Sequence, residues 1–154
     1  MRRPIHPNFT PTPPDPFCHI TSDIPSMSLL SSFFSILNPN AAGVRRVEPA
    51  EAARLVQEKQ AVLVDVREPA EWAGGVVAGA ALLPLSDLHG SRAKWKPFLA
   101  QVAGREIISY CLSGSRSGTV ARVLAAEGFK TANGGSIHDW IAAGQSVTRP
   151  KSGR

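Results

Sequence analysis

Apolar residues recur along the central part of the chain with two different spacings. Short continuous apolar runs bounded by polar residues, such as Ala61-Val-Leu-Val-Asp-Val66, indicate strands that are buried on both faces. Apolar positions three or four residues apart, such as Val120, Val123 and Leu124, indicate helices with one buried face. The pattern predicts strands over residues 44–47, 61–66, 81–85, 106–110 and 129–132. It predicts helices or helical turns over residues 51–59, 68–73, 94–102, 116–127 and 137–143.

Strands and helices alternate along this part of the chain. Because consecutive parallel strands need a crossover connection, which is usually a helix, the alternation predicts a parallel sheet with helices on both faces. We therefore predict one α/β domain over residues 44–148. A chain of 154 residues has room for such a domain and for some flanking sequence.

The first 43 residues differ in composition from the rest. They contain 8 of the 13 prolines together with many Ser, Thr and Asn residues, which predicts a disordered N-terminal extension. Residues 28–37 are compatible with a short amphipathic helix that makes a weak membrane-surface or partner contact. An export signal fits less well, because a Pro-rich segment separates the N-terminal arginines from this apolar run. The sequence leaves open whether residues 1–26 are present in the native protein, since Met27 is a second possible start.

The formal net charge of +5 lies mostly outside the predicted domain. Residues 44–147 contain 12 Lys and Arg against 10 Asp and Glu, and the remaining excess lies in the flanks, including a basic tail at residues 149–154. A nucleic-acid surface needs a concentrated basic stripe, so this distribution argues against nucleic-acid binding. The chain contains no apolar stretch of about 18 residues, which argues against an integral membrane segment.

The chain has two cysteines, Cys18 and Cys111, in unlike surroundings. A secreted disulfide scaffold would contain more, so the composition favours reduced thiols and predicts a cytoplasmic location. No Cys, Asp or Glu lies near His89 or His138 at a sequence spacing typical of metal ligands. We therefore predict no metal site, and no cofactor is implied.

One loop has the residue types of a reactive site. The segment Tyr110-Cys-Leu-Ser-Gly-Ser-Arg-Ser-Gly118 lies between a predicted buried strand and a predicted helix, where α/β sheets bind ligands. Gly114 gives the backbone freedom to curl, so that several N–H groups can point inward. These N–H groups, the helix N-terminus and the Arg116 guanidinium would each stabilise a thiolate at Cys111.

Such a loop suits a nucleophile that attacks an anionic sulfur or phosphorus centre and then holds a charged adduct. Arg116 can bind an oxyanion through its planar guanidinium fork. The alternative is a structural cysteine after a buried strand, with Arg116 as a helix-end or surface charge. The presence of Gly114, Arg116 and Ser117 in the same segment favours a reactive Cys111.

Three ordered motifs span the predicted domain. They are Cys111-Leu-Ser-Gly-Ser-Arg116-Ser117, Asp65-Val-Arg67-Glu-Pro-Ala-Glu71-Trp72 with Gly75 and Gly79-Ala80, and Asn133-Gly-Gly135 with Trp140 and Ala143-Gly144. They resemble the C-x-x-G-x-R-[ST] loop, the D-x-R-x-x-x-E-[FWY] and G-x-x-x-G-A segments, and the closing G-G-x(4)-W-x(3)-G of rhodanese-like domains. Val76 and Leu82 stand where that family often has His and Asn, and we interpret both positions as architectural.

The resemblance implies a single rhodanese-like domain with a five-stranded parallel sheet and helices on both faces. It also implies a sulfurtransferase of the thiosulfate sulfurtransferase (rhodanese) type. A small anionic donor such as thiosulfate would give its outer sulfur to Cys111 as a persulfide, and a thiophile such as cyanide, a small thiol or a protein thiol would remove it.

The same resemblance assigns roles to residues. Cys111 is the expected catalytic residue. The expected substrate-binding residues are Arg116, Leu112, Ser113, Gly114, Ser115 and Ser117. Asp65 and Arg67, together with Glu71, are either a structural ion-pair set behind the loop or residues that shape substrate access.

Two other functions stay open at this level. A persulfide relay or regulatory binding module would use the domain to pass sulfur to a protein partner or to dock on it. A cysteine-dependent phosphatase would use the same cradle. However, only four residues separate Cys111 from Arg116, whereas the related phosphatases have a longer and wider loop. The shorter loop favours a sulfur adduct over a tetrahedral phosphate.

Overall fold

A computed structural model of the chain describes residues 43–102 and 104–150. The predictions for residues 1–42, including the helix at residues 28–37, and for residues 151–154 of the basic tail lie outside the described residues. The helices are α1 (Pro49–Gln57), α2 (Pro69–Trp72), α3 (Leu85–His89), α4 (Trp95–Gln101), α5 (Ser115–Ala126) and α6 (Ile137–Ala142). The strands are β1 (Ala61–Asp65), β2 (Val76–Val77), β3 (Ala81–Leu82), β4 (Glu106–Cys111), β5 (Thr131–Ser136) and β6 (Val147–Thr148).

Four strands form a parallel sheet in the order β3-β1-β4-β5. Beside β5, Arg46 forms a single parallel bridge with Asn133, so the strand predicted at residues 44–47 extends the sheet by one residue pair. Pro49 begins α1 directly afterwards, which ends the pairing. The predicted α/β fold with a parallel sheet is confirmed, with the fifth strand reduced to a bridge.

The sheet is buried on both faces, which explains the continuous apolar runs of β1 and β4. Alternate residues of β1 pack in opposite directions: Leu63 joins a cluster with Trp140 of α6, and Val64 joins a cluster with Leu124 of α5. Cys111 belongs to the second cluster. The cysteine therefore lies at the carboxyl end of β4, on the face of the sheet that α3, α4 and α5 cover.

All five predicted helices are present, with bounds shifted by at most two residues. The strand predicted at residues 81–85 covers only Ala81–Leu82. Pro84 has no N–H to donate to a ladder, and α3, which was not predicted, begins at Leu85. The antiparallel pair of β2 and β6 was not predicted either.

The last strand of the sheet also differs from its prediction. Residues 129–132 were expected, but the strand spans Thr131–Ser136 and includes two glycines. A Cβ on Gly134 would lie 3.0 Å from Cγ2 of Ile108 and 3.3 Å from the carbonyl oxygen of Ser109. The close approach of β4 thus requires the glycine that weakens the strand signal in the sequence.

Val76 and Leu82, the two positions that differ from the rhodanese-like motifs, both lie in strands. Val76 pairs with Thr148 between β2 and β6, and Leu82 pairs with Asp65 between β3 and β1. The neighbouring Gly75 has a φ of +112°, and a Cβ there would lie 2.5 Å from Cγ1 of Val147. Close packing of these strands therefore explains the glycine of the motif.

Candidate active site

Cys111 is the last residue of β4 and is fully buried. The pairing of β4 with β5 shifts register between Ser109 and Cys111, where the strand gives way to the loop. The backbone N–H of Gly114 donates to Sγ of Cys111 at 3.1 Å. The hydroxyl oxygen of Ser117 lies 3.6 Å from the same sulfur. The loop that follows Cys111 therefore folds back over its side chain.

Gly114 makes this return possible. It has a φ of +89° and directly precedes α5. This left-handed conformation strains residues that carry a Cβ, which explains glycine at this position. Because α5 begins at Ser115, the positive end of a 12-residue helix lies next to the loop.

The pKa of the Cys111 thiol lies below its ordinary value. Burial raises this pKa, because the thiolate loses hydration inside the protein. The backbone N–H and hydroxyl of Ser117 and the N–H groups of Ser113 and Gly114 lower it by more. The loop therefore favours the thiolate, which is the nucleophilic form of cysteine.

Asn133 of β5 ties the loop to the sheet. Its Nδ2 donates to the Gly114 carbonyl at 3.0 Å, and its Oδ1 accepts from the Gly135 N–H at 3.0 Å and from the Ser117 hydroxyl at 2.8 Å. Gly118 leaves space for this amide, since a Cβ there would lie 3.1 Å from Nδ2. In the sequence, Asn133 is only the first residue of the closing motif, and no local signal indicates its contact with Ser117.

Arg116 forms a bidentate ion pair with Glu71. Nη1 lies 2.6 Å from Oε2 and Nη2 lies 2.8 Å from Oε1. The hydrogen bonds from Arg116 lower the pKa of Glu71 to about 2. Glu71, and to a smaller extent the Cys111 thiolate, raise the pKa of Arg116. The carboxylate that was grouped with Asp65 and Arg67 in the sequence is thus in contact with the active loop.

Asp65 and Arg67 form a buried ion pair at the end of β1, with Nη2 of Arg67 2.7 Å from Oδ2 of Asp65. Arg67 also donates to the carbonyls of Gly75 at 2.6 Å and Glu71 at 3.4 Å. Asp65 accepts from the Tyr110 hydroxyl at 2.7 Å. These contacts favour a structural role, in which the pair holds α2 against the strand that leads to Cys111.

Three side chains form the outer rim of the loop. Leu112 is 46% exposed, and Ser113 and Ser115 are exposed as well. The rim therefore combines one apolar side chain with two small polar ones. A molecule that approaches Cys111 along the loop meets these residues.

Within residues 43–102 and 104–150, no three His, Cys, Asp or Glu side chains are grouped so that they could hold a metal ion. None of the helices there combines the length and the apolar character needed to cross a membrane.

Comparison with known proteins relates this chain to a family. The sequence model of the rhodanese-like domain family matches residues 48–143, which include the whole loop. An uncharacterized protein of Synechocystis sp. is 34% identical over 109 residues, covering 69% of this chain and 57% of that protein. The chain thus spans little more than half the length of this relative.

Two other proteins are similar over comparable lengths. Thiosulfate:glutathione sulfurtransferase of Saccharomyces cerevisiae is 27% identical over 117 residues, covering 68% of this chain and 84% of that protein. The crystal structure of a rhodanese-related protein from Thermoplasma volcanium aligns with a TM-score of 0.58 at 27% identity, covering 69% of this chain and 99% of that one. The family match extends over more than half of the chain and agrees with the fold, so this chain belongs to the family of rhodanese-like domains.

Proposed function

We propose that the protein is a sulfurtransferase that moves sulfane sulfur from thiosulfate, or a similar small anionic donor, to a thiophilic acceptor through a persulfide on Cys111. The observation that carries the proposal is the hydrogen bond of 3.1 Å from the Gly114 N–H to Sγ of Cys111. A donor in this position stabilises the attacking thiolate. It also stabilises the persulfide anion that replaces it.

The first half-reaction loads the cysteine. The Cys111 thiolate attacks the outer sulfur of thiosulfate, and a bond forms between Sγ and that sulfur. The S–S bond of thiosulfate breaks, and sulfite leaves with the electron pair. Atoms and charges balance without an oxidant, and the product is a persulfide held by the N–H groups of the loop.

The second half-reaction unloads the cysteine. Cyanide attacks the outer sulfur and leaves as thiocyanate, or a thiol attacks it and leaves as a persulfide, and the Cys111 thiolate returns in both cases. The Saccharomyces cerevisiae relative is named for glutathione. By analogy, a small thiol is the acceptor that we favour for this chain.

The remaining loop residues bind the donor in this proposal. Arg116, one edge of which pairs with Glu71, directs a further interaction to the sulfur, and residues 112–115 and Ser117 supply the cradle. Cys111 is a free thiol, which fits the reducing, cytoplasmic location expected from the composition.

Intact-mass measurement after incubation with thiosulfate tests the proposal. We expect the wild type to gain one sulfur atom and to lose it on addition of cyanide. Cys111→Ser should gain none, and the matched control Cys18→Ser should behave like the wild type. The absence of any adduct on the wild-type protein would overturn the proposal. Cys111-dependent hydrolysis of an aryl phosphate would instead favour a phosphatase.

A persulfide relay to a protein partner is the second candidate, because the apolar Leu112 is 46% exposed directly beside Cys111. A protein that accepts sulfur from Cys111 would meet this side chain at the rim of the loop. In a relay, Leu112→Ser slows transfer of the sulfur to a protein thiol and leaves transfer to cyanide unchanged. Equal rates with both acceptors in the variant and the wild type contradict the relay.

A further inference from the structure

We propose that Glu71 is a specificity-determining residue, which disfavours dianionic sulfur donors relative to monoanionic ones by occupying the guanidinium fork of Arg116. This inference rests on the proposed sulfurtransferase function and refines its class of donor. It concerns the charge of the donor and leaves the chemistry at Cys111 unchanged.

The first observation is the geometry of the ion pair. Both terminal nitrogens of Arg116 are engaged, Nη1 with Oε2 of Glu71 at 2.6 Å and Nη2 with Oε1 at 2.8 Å. A sulfonate or thiosulfate that bound the guanidinium through the same two nitrogens would have to replace this carboxylate. The edge of Arg116 formed by Nη1 and Nη2 is thus occupied by the protein itself, and a donor is left with the other N–H groups of the guanidinium.

The second observation is that hydrogen bonds hold both the side chain and the main chain of Glu71 in place. Its Oε2 accepts from the backbone N–H of Glu68 at 2.9 Å, which completes the capping box of α2. Its carbonyl accepts from Arg67 at 3.4 Å, and Arg67 is in turn paired with the buried Asp65. Displacement of the carboxylate would therefore break the contacts that begin α2 as well as the ion pair.

The third observation concerns charge. Glu71 neutralises Arg116, and both side chains are 30% exposed, so solvent screens them only in part. Arg116 interacts with the Cys111 thiolate, so a donor that reaches Cys111 approaches the guanidinium and, with it, the Glu71 carboxylate that the guanidinium binds. Because Coulomb energy is proportional to the product of the charges, Glu71 repels a dianion with twice the energy with which it repels a monoanion at the same distance.

Two donors of similar shape separate the effect of charge from other effects. Thiosulfate is a dianion, and methanethiosulfonate is a monoanion in which a methyl group replaces one anionic oxygen. In both reactions the Cys111 thiolate attacks the outer sulfur and the S–S bond breaks. Sulfite leaves with the electron pair in the first reaction and methanesulfinate in the second, and the same Cys111 persulfide is formed.

The experiment compares the second-order rate constants of persulfide formation with these two donors, measured by intact mass, for the wild type, Glu71→Gln and Glu58→Gln. The glutamine at residue 71 keeps an oxygen for the Glu68 N–H but removes the negative charge. Glu58→Gln is the matched control, since Glu58 pairs at 2.7 Å with Arg54 of α1 and the substitution makes the same change of net charge.

We expect Glu71→Gln to accelerate the reaction with thiosulfate about tenfold and the reaction with methanethiosulfonate about threefold, as the ratio of charges requires. Glu58→Gln should change neither rate constant. An equal effect on the two donors, or no effect, would overturn the inference and leave the sulfurtransferase proposal standing. Failure of the wild type to form a persulfide with either donor would instead overturn the proposed function.

A second experiment keeps Glu71 and therefore does not depend on the folding of Glu71→Gln. Sulfate and methanesulfonate are unreactive analogues of the two donors, and each can be tested for protection of Cys111 from iodoacetamide in the Cys18→Ser protein. We expect protection constants within about threefold of each other, since Glu71 denies sulfate the advantage of its second charge. Protection by sulfate at a much lower concentration than methanesulfonate would contradict the inference.

Discussion

Ser117 and Asn133 are joined by a hydrogen bond of 2.8 Å in which the serine hydroxyl is the donor. The Oδ1 atom of Asn133 must be the acceptor, because it also accepts from the Gly135 N–H at 3.0 Å. A hydroxyl has a single proton, so Ser117 donates to Sγ of Cys111, 3.6 Å away, only when it turns from Asn133. The thiolate is a stronger acceptor than the thiol and favours that turn.

Removal of the Ser117 hydroxyl should change the titration of the Cys111 thiol. The rate of alkylation by iodoacetamide rises with pH as the thiolate forms, and in the Cys18→Ser protein we expect its midpoint below the ordinary thiol value of 9.0. Ser117→Ala should move the midpoint to higher pH, because one donor to the thiolate is lost. Ser113→Ala is the control, since it keeps the backbone N–H that acts on Cys111. Superimposable profiles for Ser117→Ala and the unsubstituted protein would contradict the role of Ser117.

Loss of the Asn133 side chain should loosen the loop. Asn133→Ala removes three hydrogen bonds, and we expect the free energy of unfolding, measured with urea, to fall by about 1–3 kcal/mol. Persulfide formation from thiosulfate should slow as well. Ser136→Ala serves as the control of similar stability, because it removes the cap of α6, a contact of 3.1 Å with the Asp139 N–H, at a cost of about 1 kcal/mol. If both variants lose activity equally, Asn133 has only a general effect on stability.

Two glycines with nearly the same backbone conformation allow backbone strain to be distinguished from a role of the loop in persulfide formation. Gly114 has a φ of +89° and Gly128 has a φ of +91°. An alanine at either position should reduce the free energy of unfolding by about 1 kcal/mol, because the left-handed conformation is strained for residues with a Cβ. Only Gly114→Ala should slow persulfide formation, as measured by intact mass. Equal slowing by Gly128→Ala would be evidence against a specific role for the loop conformation.

Acid should weaken the pair of Glu71 and Arg116 over a defined range. Arg116, with smaller contributions from the Glu68 N–H and Arg67, lowers the pKa of Glu71 from 4.5 to about 2, so the charged carboxylate stabilises the fold above pH 4.5. This contribution is lost progressively as the pH falls from 4.5 through about 2. The difference in unfolding free energy between the wild type and Glu71→Gln should therefore shrink over this range. A difference that stays constant from neutral pH to pH 2 would show that the charge of Glu71 contributes nothing to stability.

Much of the fold was predictable because it depends on local patterns. The apolar run in β1 and the spacing of Val120, Val123 and Leu124 in α5 reflect burial, which leaves a periodic trace in the sequence. The position of Cys111 at the junction of strand and helix was predictable for the same reason. Gly114 followed from the turn that this junction requires.

The partners of the loop were not predictable in this way. Glu71 reaches Arg116 across 45 residues, and Asn133 reaches Ser117 across 16. Neither contact leaves a periodic trace, because it depends on which strands are neighbours in the sheet and on how α2 is held by the buried pair of Asp65 and Arg67. Local patterning thus specifies the position of Cys111 and the loop around it. The packing of distant segments specifies the charge around Cys111, on which the proposed preference between donors depends.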